Sequence, residues 1–203
     1  MKHYFNPMSR GVTTDWILTE LDVPHEQILI DIESGGNDTL EFRNINPMGK
    51  LPTLVDGEIV VTETAAICAY LADKFPAKNF APELGSYERA AYYRYLFFTG
   101  NTIEPAFTLN ASGYEHPQPG QAGWGDMSRV LATIEVMTPE KDWALGSQFT
   151  AADVVFGGML DFSMIFNLFE ATPKVVDYVE RIRVRPAYRK THSGFINMGF
   201  SIS

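Results

Sequence analysis

Between Lys2 and Lys74 the apolar positions switch between a two-residue and a helical period. Lys2 to Asn6 reads as a short strand closed by Pro7. Gln27 to Ile32 alternates, with Ile28, Ile30 and Ile32 on one face, and reads as a second strand. Between them, Gly11 to Asp22 carries Val12, Trp16, Ile17 and Leu21 at helical spacing, with Ser9 just ahead, at or next to the N-cap. A Gly-Gly loop and a weakly patterned segment, Thr39 to Asn44, lead into Asn46 to Pro76, NPMGKLPTLVDGEIVVTETAAICAYLADKFP. There an Asn-Pro-Met-Gly turn precedes Leu51-Pro52 and an apolar run, Thr53 to Val55. Asp56-Gly57 is a two-residue hairpin signal answered by Ile59 to Val61. Pro52 opens a strand, where a missing N–H is tolerated. Composition favours a trans bond before it, whereas a cis bond would turn the Leu51 backbone outward toward an extended ligand. Glu63 and Thr64 mark a helix start, followed by Ile67, Tyr70, Leu71 and Lys74. Two strands separated by a helix predict a parallel pair with a right-handed crossover, and the hairpin adds antiparallel strands. The expected product is a mixed four-stranded α/β sheet.

Past this stretch the strand signals stop. Residues 76–84, PAKNFAPEL, are proline-punctuated and aperiodic and read as a linker. Ser86 to Ala111 is a long aromatic-rich helix candidate in which Pro105 should cause a kink or an early end. A Gly/Pro/Gln loop to Gly125 and a helix over Asp126 to Met137 follow. Thr150 and Asp153 then form a capping-box signature before an apolar run, read as a folding element, and Val175 to Arg185 makes a further helix. The division expected is 1–75, a linker at 76–84, and an all-helical part at 85–203.

Composition narrows the function classes. A net charge of -9 argues against nucleic acid, because phosphates would be repelled, and makes Arg10, Arg43 and Lys50 the basic residues to watch for an anionic ligand. One cysteine excludes an internal disulfide and any CxxC motif, and Cys68 itself reads as a buried structural thiol. The four histidines show no metal-ligand spacing, so no metal is expected. No signal-peptide pattern opens the sequence and no apolar run is long enough to span a membrane, so the expected location is cytoplasmic, with no membrane partner.

The Asn46–Pro76 block resembles the glutathione-binding half of the thioredoxin-like domain in cytosolic glutathione transferases. NPMGKLP is similar to that family's turn and cis-proline, and ETAAICAYL to its Glu-Ser-x-x-Ile helix opening. VERIRVRPAYRK resembles its C-terminal segment, and Pro7-Met8-Ser9 looks like the Pro-x-Ser of plant phi-class enzymes. The resemblance implies an N-terminal thioredoxin-like domain, a C-terminal helical bundle, glutathione as co-substrate, and a homodimer formed through the third and fourth helices. It also implies an enzyme that activates the glutathione thiol as thiolate for attack on a hydrophobic electrophile. The alternatives are a glutathione-dependent disulfide or peroxide reductase and a non-catalytic ligand-binding protein.

Carried over residue by residue, Ser9 would supply the hydroxyl that stabilises the thiolate, with Arg10 beside it. Leu51, next to Pro52, would pair its backbone with the cysteinyl part, and Glu63 and Thr64 would hold the γ-glutamyl end. Lys50 would contact the peptide or its carboxylate. Each has a plainer reading: Ser9 as an N-cap, Arg10 projecting into water, Glu63-Thr64 as helix capping, and Lys50 as a solvated lysine. Tyr4, near where other classes use a tyrosine, also reads as a packed strand residue. Bacterial beta-class enzymes keep a cysteine in this neighbourhood, and this sequence has none there. Phi-like enzymes place basic residues in the loop before their second helix. Here that loop reads Gly35-Gly36-Asn37-Asp38, leaving Lys50 or Arg43 as replacements for the glycyl carboxylate contact. Met8, Tyr93, Phe97 and the tail from Phe195 to Phe200 are candidates for the electrophile site.

Overall fold

The structure, a computed structural model, describes residues 1–194. Two compact units emerge among the described residues: Met1–Lys78 together with the described residues from Arg185 on, and Asn79–Val184. The return of the chain at Arg185 to the first unit differs from the motif-based division, which assigned all of 85–203 to the helical part.

The first unit is built on a four-stranded sheet ordered β2-β1-β3-β4, from β1 (Lys2–Phe5), β2 (Glu26–Leu29), β3 (Thr53–Asp56) and β4 (Ile59–Thr62). The β1–β2 pair is parallel, and β1–β3 and β3–β4 are antiparallel, which is the mixed sheet expected from the element order. Helix α1 (Gly11–Leu21) forms the crossover, the short α2 (Leu40–Ile45) occupies the weakly patterned segment, and α3 (Thr64–Lys74) follows the hairpin. Trp16, Ile17, Leu18 and Leu21 of α1 join Leu54, Ile67, Cys68 and Leu71 in a core from which water is excluded. Burial of apolar area at roughly 25 cal/mol per Å² is what drives these elements together.

Two local expectations shift. Asp56 pairs with Ile59, so the two-residue turn is Gly57-Glu58, and Gly57 takes the positive φ of 64° that such turns demand. The ladder of β2 ends at Leu29, although Ile30 N–H still donates to Phe5 O at 2.9 Å. Because β2 is the sheet edge, its alternating isoleucines are only partly covered, and Ile32 is exposed.

The second unit holds α4 (Tyr87–Phe98), α5 (Glu104–Ala111), α6 (Met127–Met137), α7 (Ala151–Ile165) and α8 (Pro173–Arg183). The expected long helix over 86–111 is interrupted by a π-turn, Thr99–Ile103, after which Pro105 sits in the first turn of α5. There its missing N–H costs nothing, so the widened turn accommodates the proline without ending the helical run. Helix α7 is buried along nearly its whole length, and its capping box is formed. Thr150 N–H donates to Asp153 Oδ2 at 2.9 Å, while Asp153 Oδ1 accepts from Ala144 N–H at 2.6 Å and from the Tyr178 hydroxyl at 2.9 Å. Arg183, 6% exposed, pairs with Asp161 and Glu180, each at 2.8 Å.

Helix α9 (Pro186–Thr191) belongs to the first unit. Tyr188, fully buried, meets the Trp16 ring edge-to-face at 5.3 Å, and Arg185 clamps both carboxylate oxygens of Glu20 at 2.6 and 2.8 Å. The same Glu20 accepts the Trp16 indole N–H at 2.9 Å.

At Gly157, α7 packs tightly against α8. A Cβ there would stand 2.1 Å from Ile182 Cδ1, and Ile182 is fully buried. Gly157→Ala should therefore cost about 1–3 kcal/mol in chemical denaturation despite the better helix propensity of alanine. Deleting the clashing methyl relieves the tightest contact and leaves the Tyr178 ring at 3.3 Å, so adding Gly157→Ala to Ile182→Val should cost less than Gly157→Ala costs in the unaltered protein.

Candidate functional site

The loop joining α2 to β3 is held by one buried side chain. Asn46, 3% exposed, donates its amide N–H groups to Lys50 O at 2.9 Å and Thr53 Oγ1 at 3.0 Å. Its Oδ1 accepts from Met48 N–H at 3.1 Å, and its carbonyl accepts from Gly49 N–H at 2.8 Å. Gly49 is required here: its φ is +61°, and a Cβ would lie 2.8 Å from the Asn37 carbonyl. Asn37 Nδ2 donates to Gly49 O at 3.0 Å, so the Gly-Gly-Asn loop is fastened to the turn. The Leu51–Pro52 bond is cis.

The result is a cavity of about 460 Å³ lined by Ser9, Ile32, Glu33, Asn37, Gly49, Lys50 and Leu51. Ser9, Lys50 and Leu51 are thus brought together from the β1–α1 loop and the turn before β3. Tyr4 lines a different cavity, with Lys2, Ile45 and Val60 among its neighbours, and its ring packs 5.7 Å from Phe42. Sequence reasoning passed over Glu33, Ile32 and the bracing role of Asn37. The only signal for them was that the Gly-Gly loop must return close to the turn, which a linear pattern does not show.

Ser9 precedes Arg10, the N-cap of α1, and its hydroxyl is engaged locally. Its O–H donates to Asn6 O at 2.7 Å and its Oγ accepts from Gly11 N–H at 3.0 Å. Asn6 in turn reaches Ile30 O at 2.8 Å with its amide. Arg10 is half-buried and has αR dihedrals. Arg43, offered as a replacement for the glycyl contact, donates to Asp38 at 2.9 Å and to Pro47 O at 2.7 Å, bracing its own loop. Lys50 is exposed and is the cation among the cavity's lining residues.

Helix α3 opens without a side-chain cap. Glu63 occupies the N-cap position at φ 68°, ψ 125° and makes no capping hydrogen bond, so the capping reading of Glu63-Thr64 does not describe this helix end. The first N–H groups of α3 therefore have no side-chain acceptor and, with the helix dipole behind them, suit an anion. Cys68 is fully buried in α3, and burial pushes its thiol well above the ordinary range, in keeping with a structural thiol. Met8 in the first unit, and Tyr93 and Phe97 in the second, are exposed by 40%, 39% and 61%. The tail from Phe195 to Phe200 lies outside the described residues.

A thioredoxin-like unit with a cis-proline turn, followed by an all-helical unit, is the architecture of glutathione transferases. The glutathione S-transferase N-terminal domain model matches residues 1–73 and the C-terminal domain model residues 122–186, together well over half of the chain. The chain belongs to the glutathione S-transferase family. It is similar to glutathione S-transferase 2 of Schizosaccharomyces pombe, at 28% identity over 94% of this chain and 95% of the relative. It is also similar to glutathione S-transferase GstB of Escherichia coli, at 26% over 85% and 88%. Among solved structures, a sphingomonad glutathione S-transferase complexed with glutathione matches with TM-score 0.75 and 26% identity over 96% of this chain and 98% of the other.

The backbone at Glu63 has a measurable consequence. A positive φ with extended ψ is a region that residues with a Cβ occupy at a cost on the order of 1–3 kcal/mol. Glu63→Gly should therefore be more stable than Glu63→Ala by about 1 kcal/mol in denaturant titrations, the reverse of the usual ranking. Equal stabilities would mean that residue 63 is unstrained in solution.

Proposed function

We propose that the protein is a glutathione transferase whose Ser9–Leu51 cavity seats the cysteinyl part of glutathione. The observation that carries this reading is the convergence of Ser9, Lys50 and Leu51 on one cavity, beside the cis Leu51–Pro52 bond. The Leu51 backbone pairs with the cysteinyl residue, and Pro52 holds that backbone in place. Glu63 receives the γ-glutamyl amine, and the uncapped start of α3 at Thr64 receives its carboxylate. Lys50 takes the place of Arg43 at the glycyl carboxylate, since Arg43 is committed to Asp38.

Chemistry follows from the thiol. Free thiols titrate near ~8.5, so at neutral pH most glutathione is protonated and poorly nucleophilic. A hydroxyl from Ser9 and the Arg10 cation stabilise the anionic form, the proton passes to solvent, and the sulfur attacks an electrophilic carbon. A C–S bond forms as the leaving group departs with its electron pair. Met8 in the first unit and, separately, Tyr93 and Phe97 in the second are the exposed apolar side chains put forward for the electrophile, in a conjugation of the detoxification type. The working form is a cytoplasmic homodimer.

One observation favours a second reading of Ser9. Its O–H already donates to Asn6 O, so donation to a thiolate requires the hydroxyl to rotate and leave that carbonyl with the Ser9 N–H at 3.0 Å. On that reading Ser9 only braces the turn, and the chain is a reductase or a ligand carrier of the same fold. Ser9→Ala decides between them. Transferase catalysis through Ser9 predicts a loss of about 100-fold in kcat/KM, by analogy with removing one donor from an oxyanion site, and a raised thiol pKa in the complex. Unchanged conjugation and thiol pKa would remove Ser9 from the mechanism. Turnover of a disulfide without conjugation of aromatic halides would favour the reductase. Separately, Lys50→Ala should raise KM for glutathione about tenfold with little change in kcat, the mark of a binding contact.

A further inference from the structure

A polar cluster in the first unit lies outside the lining of the Ser9 cavity. His3 on β1, Asp15 on α1 and His25 just before β2 each present one donor atom, and these atoms lie within 4.8 Å of one another. His3 is 0% and Asp15 7% exposed, an unusual depth for such groups.

Hydrogen bonding fixes which lone pairs remain. With the Thr14 hydroxyl donating to Gly11 O at 3.0 Å, its oxygen accepts from His3 Nε2 at 2.7 Å, the tautomer in which Nε2 carries the ring hydrogen. His3 Nδ1 is then a bare lone pair, buried and without a hydrogen-bond partner. His25 Nδ1 lies 2.9 Å from Val23 O, an acceptor only, so that nitrogen carries the hydrogen and leaves Nε2 as a lone pair. Gln27 donates its amide N–H to Asp15 Oδ1 and leaves Oδ2 available. Both imidazoles thus give their one N–H to a fixed oxygen and the carboxylate is held by an amide, the supporting shell that orients metal ligands. Burial, with His25 alongside, pushes His3 down to about 3, which keeps it neutral. The charge of Lys190 on α9 also reaches Asp15.

We propose that His3, Asp15 and His25 form a divalent transition-metal site that clamps β1, α1 and the entrance to β2. Two imidazoles and a carboxylate suit Zn²⁺, with water in the remaining position. Bonds of about 2.0–2.1 Å require the three side chains to draw inward, and the half-buried His25 offers both the freedom to move and the path of entry. The spacing of His3, Asp15 and His25 along the chain matches no metal motif because the sheet, not the local sequence, brings them together. The proposal is independent of the glutathione reading.

The test uses the untagged full-length protein, freed of metal and without glutathione. Zn²⁺ uptake is measured at micromolar concentrations, and Co²⁺ serves as a spectroscopic probe. The expected result is one equivalent of Zn²⁺ per chain, a rise in Tm, and visible Co²⁺ bands of nitrogen and oxygen coordination. His25→Ala and the shape-conserving Asp15→Asn should each weaken uptake at least tenfold. Asp15→Asn keeps an acceptor for Gln27, so the test stands even if one variant folds poorly. No stoichiometric uptake by the unaltered protein, or uptake that survives both substitutions, would overturn the proposal.

Discussion

The buried amide of Asn46 is the constraint on which the cavity lined by Ser9, Lys50 and Leu51 depends. Its hydrogen bonds tie Lys50 O, Thr53 Oγ1 and Met48 N–H to one point, so the chain turns tightly and enters β3 with Leu51 and Lys50 facing the cavity. An unsatisfied buried amide costs roughly 1–3 kcal/mol per lost partner, so loosening this residue would cost more than the turn gains by relaxing. Thr53 reinforces the same point, donating its hydroxyl to Lys50 O at 3.2 Å. Asn37 then fastens the preceding loop to the turn through the Gly49 carbonyl.

A second anchor comes from the far end of the chain. Arg185 and Tyr188 bring α9 back onto α1 through Glu20 and Trp16, so α1, which presents Ser9 and Arg10, is held by residues distant in sequence. A bidentate guanidinium–carboxylate pair that is largely shielded from water fixes orientation better than an exposed pair would. Helix α1 is thereby anchored through Trp16 and Glu20.

The sheet was legible because its signals are local: the alternation in β2, the Asp-Gly pair, and the helical spacing of α1 and α3 each report on their own segment. The capping box at Thr150 and Asp153 was legible for the same reason, since its partners stand three residues apart. What escaped was set by tertiary context. The turn shifted to Gly57-Glu58 because cross-strand register, not residue type alone, selects the loop. Pro105 did not end its helix because a π-turn absorbed it. The docking of α9 and the convergence of His3, Asp15 and His25 join residues far apart in the chain, which periodicity cannot register. For the candidate site, the turn and the α3 opening could be read from motifs. The engagement of the Ser9 hydroxyl with Asn6 and of Arg43 with Asp38 could not, because each depends on how a loop closes.

In the function proposed above, the protein converts bound glutathione to its thiolate. That conversion is read from the thiolate absorbance of the protein–glutathione complex, titrated across pH. Saturable binding and a bound-thiol pKa clearly below the ~8.5 typical of a free thiol are expected. Binding with an unshifted thiol, or no binding at all, would contradict it and leave the fold without the chemistry assigned to it.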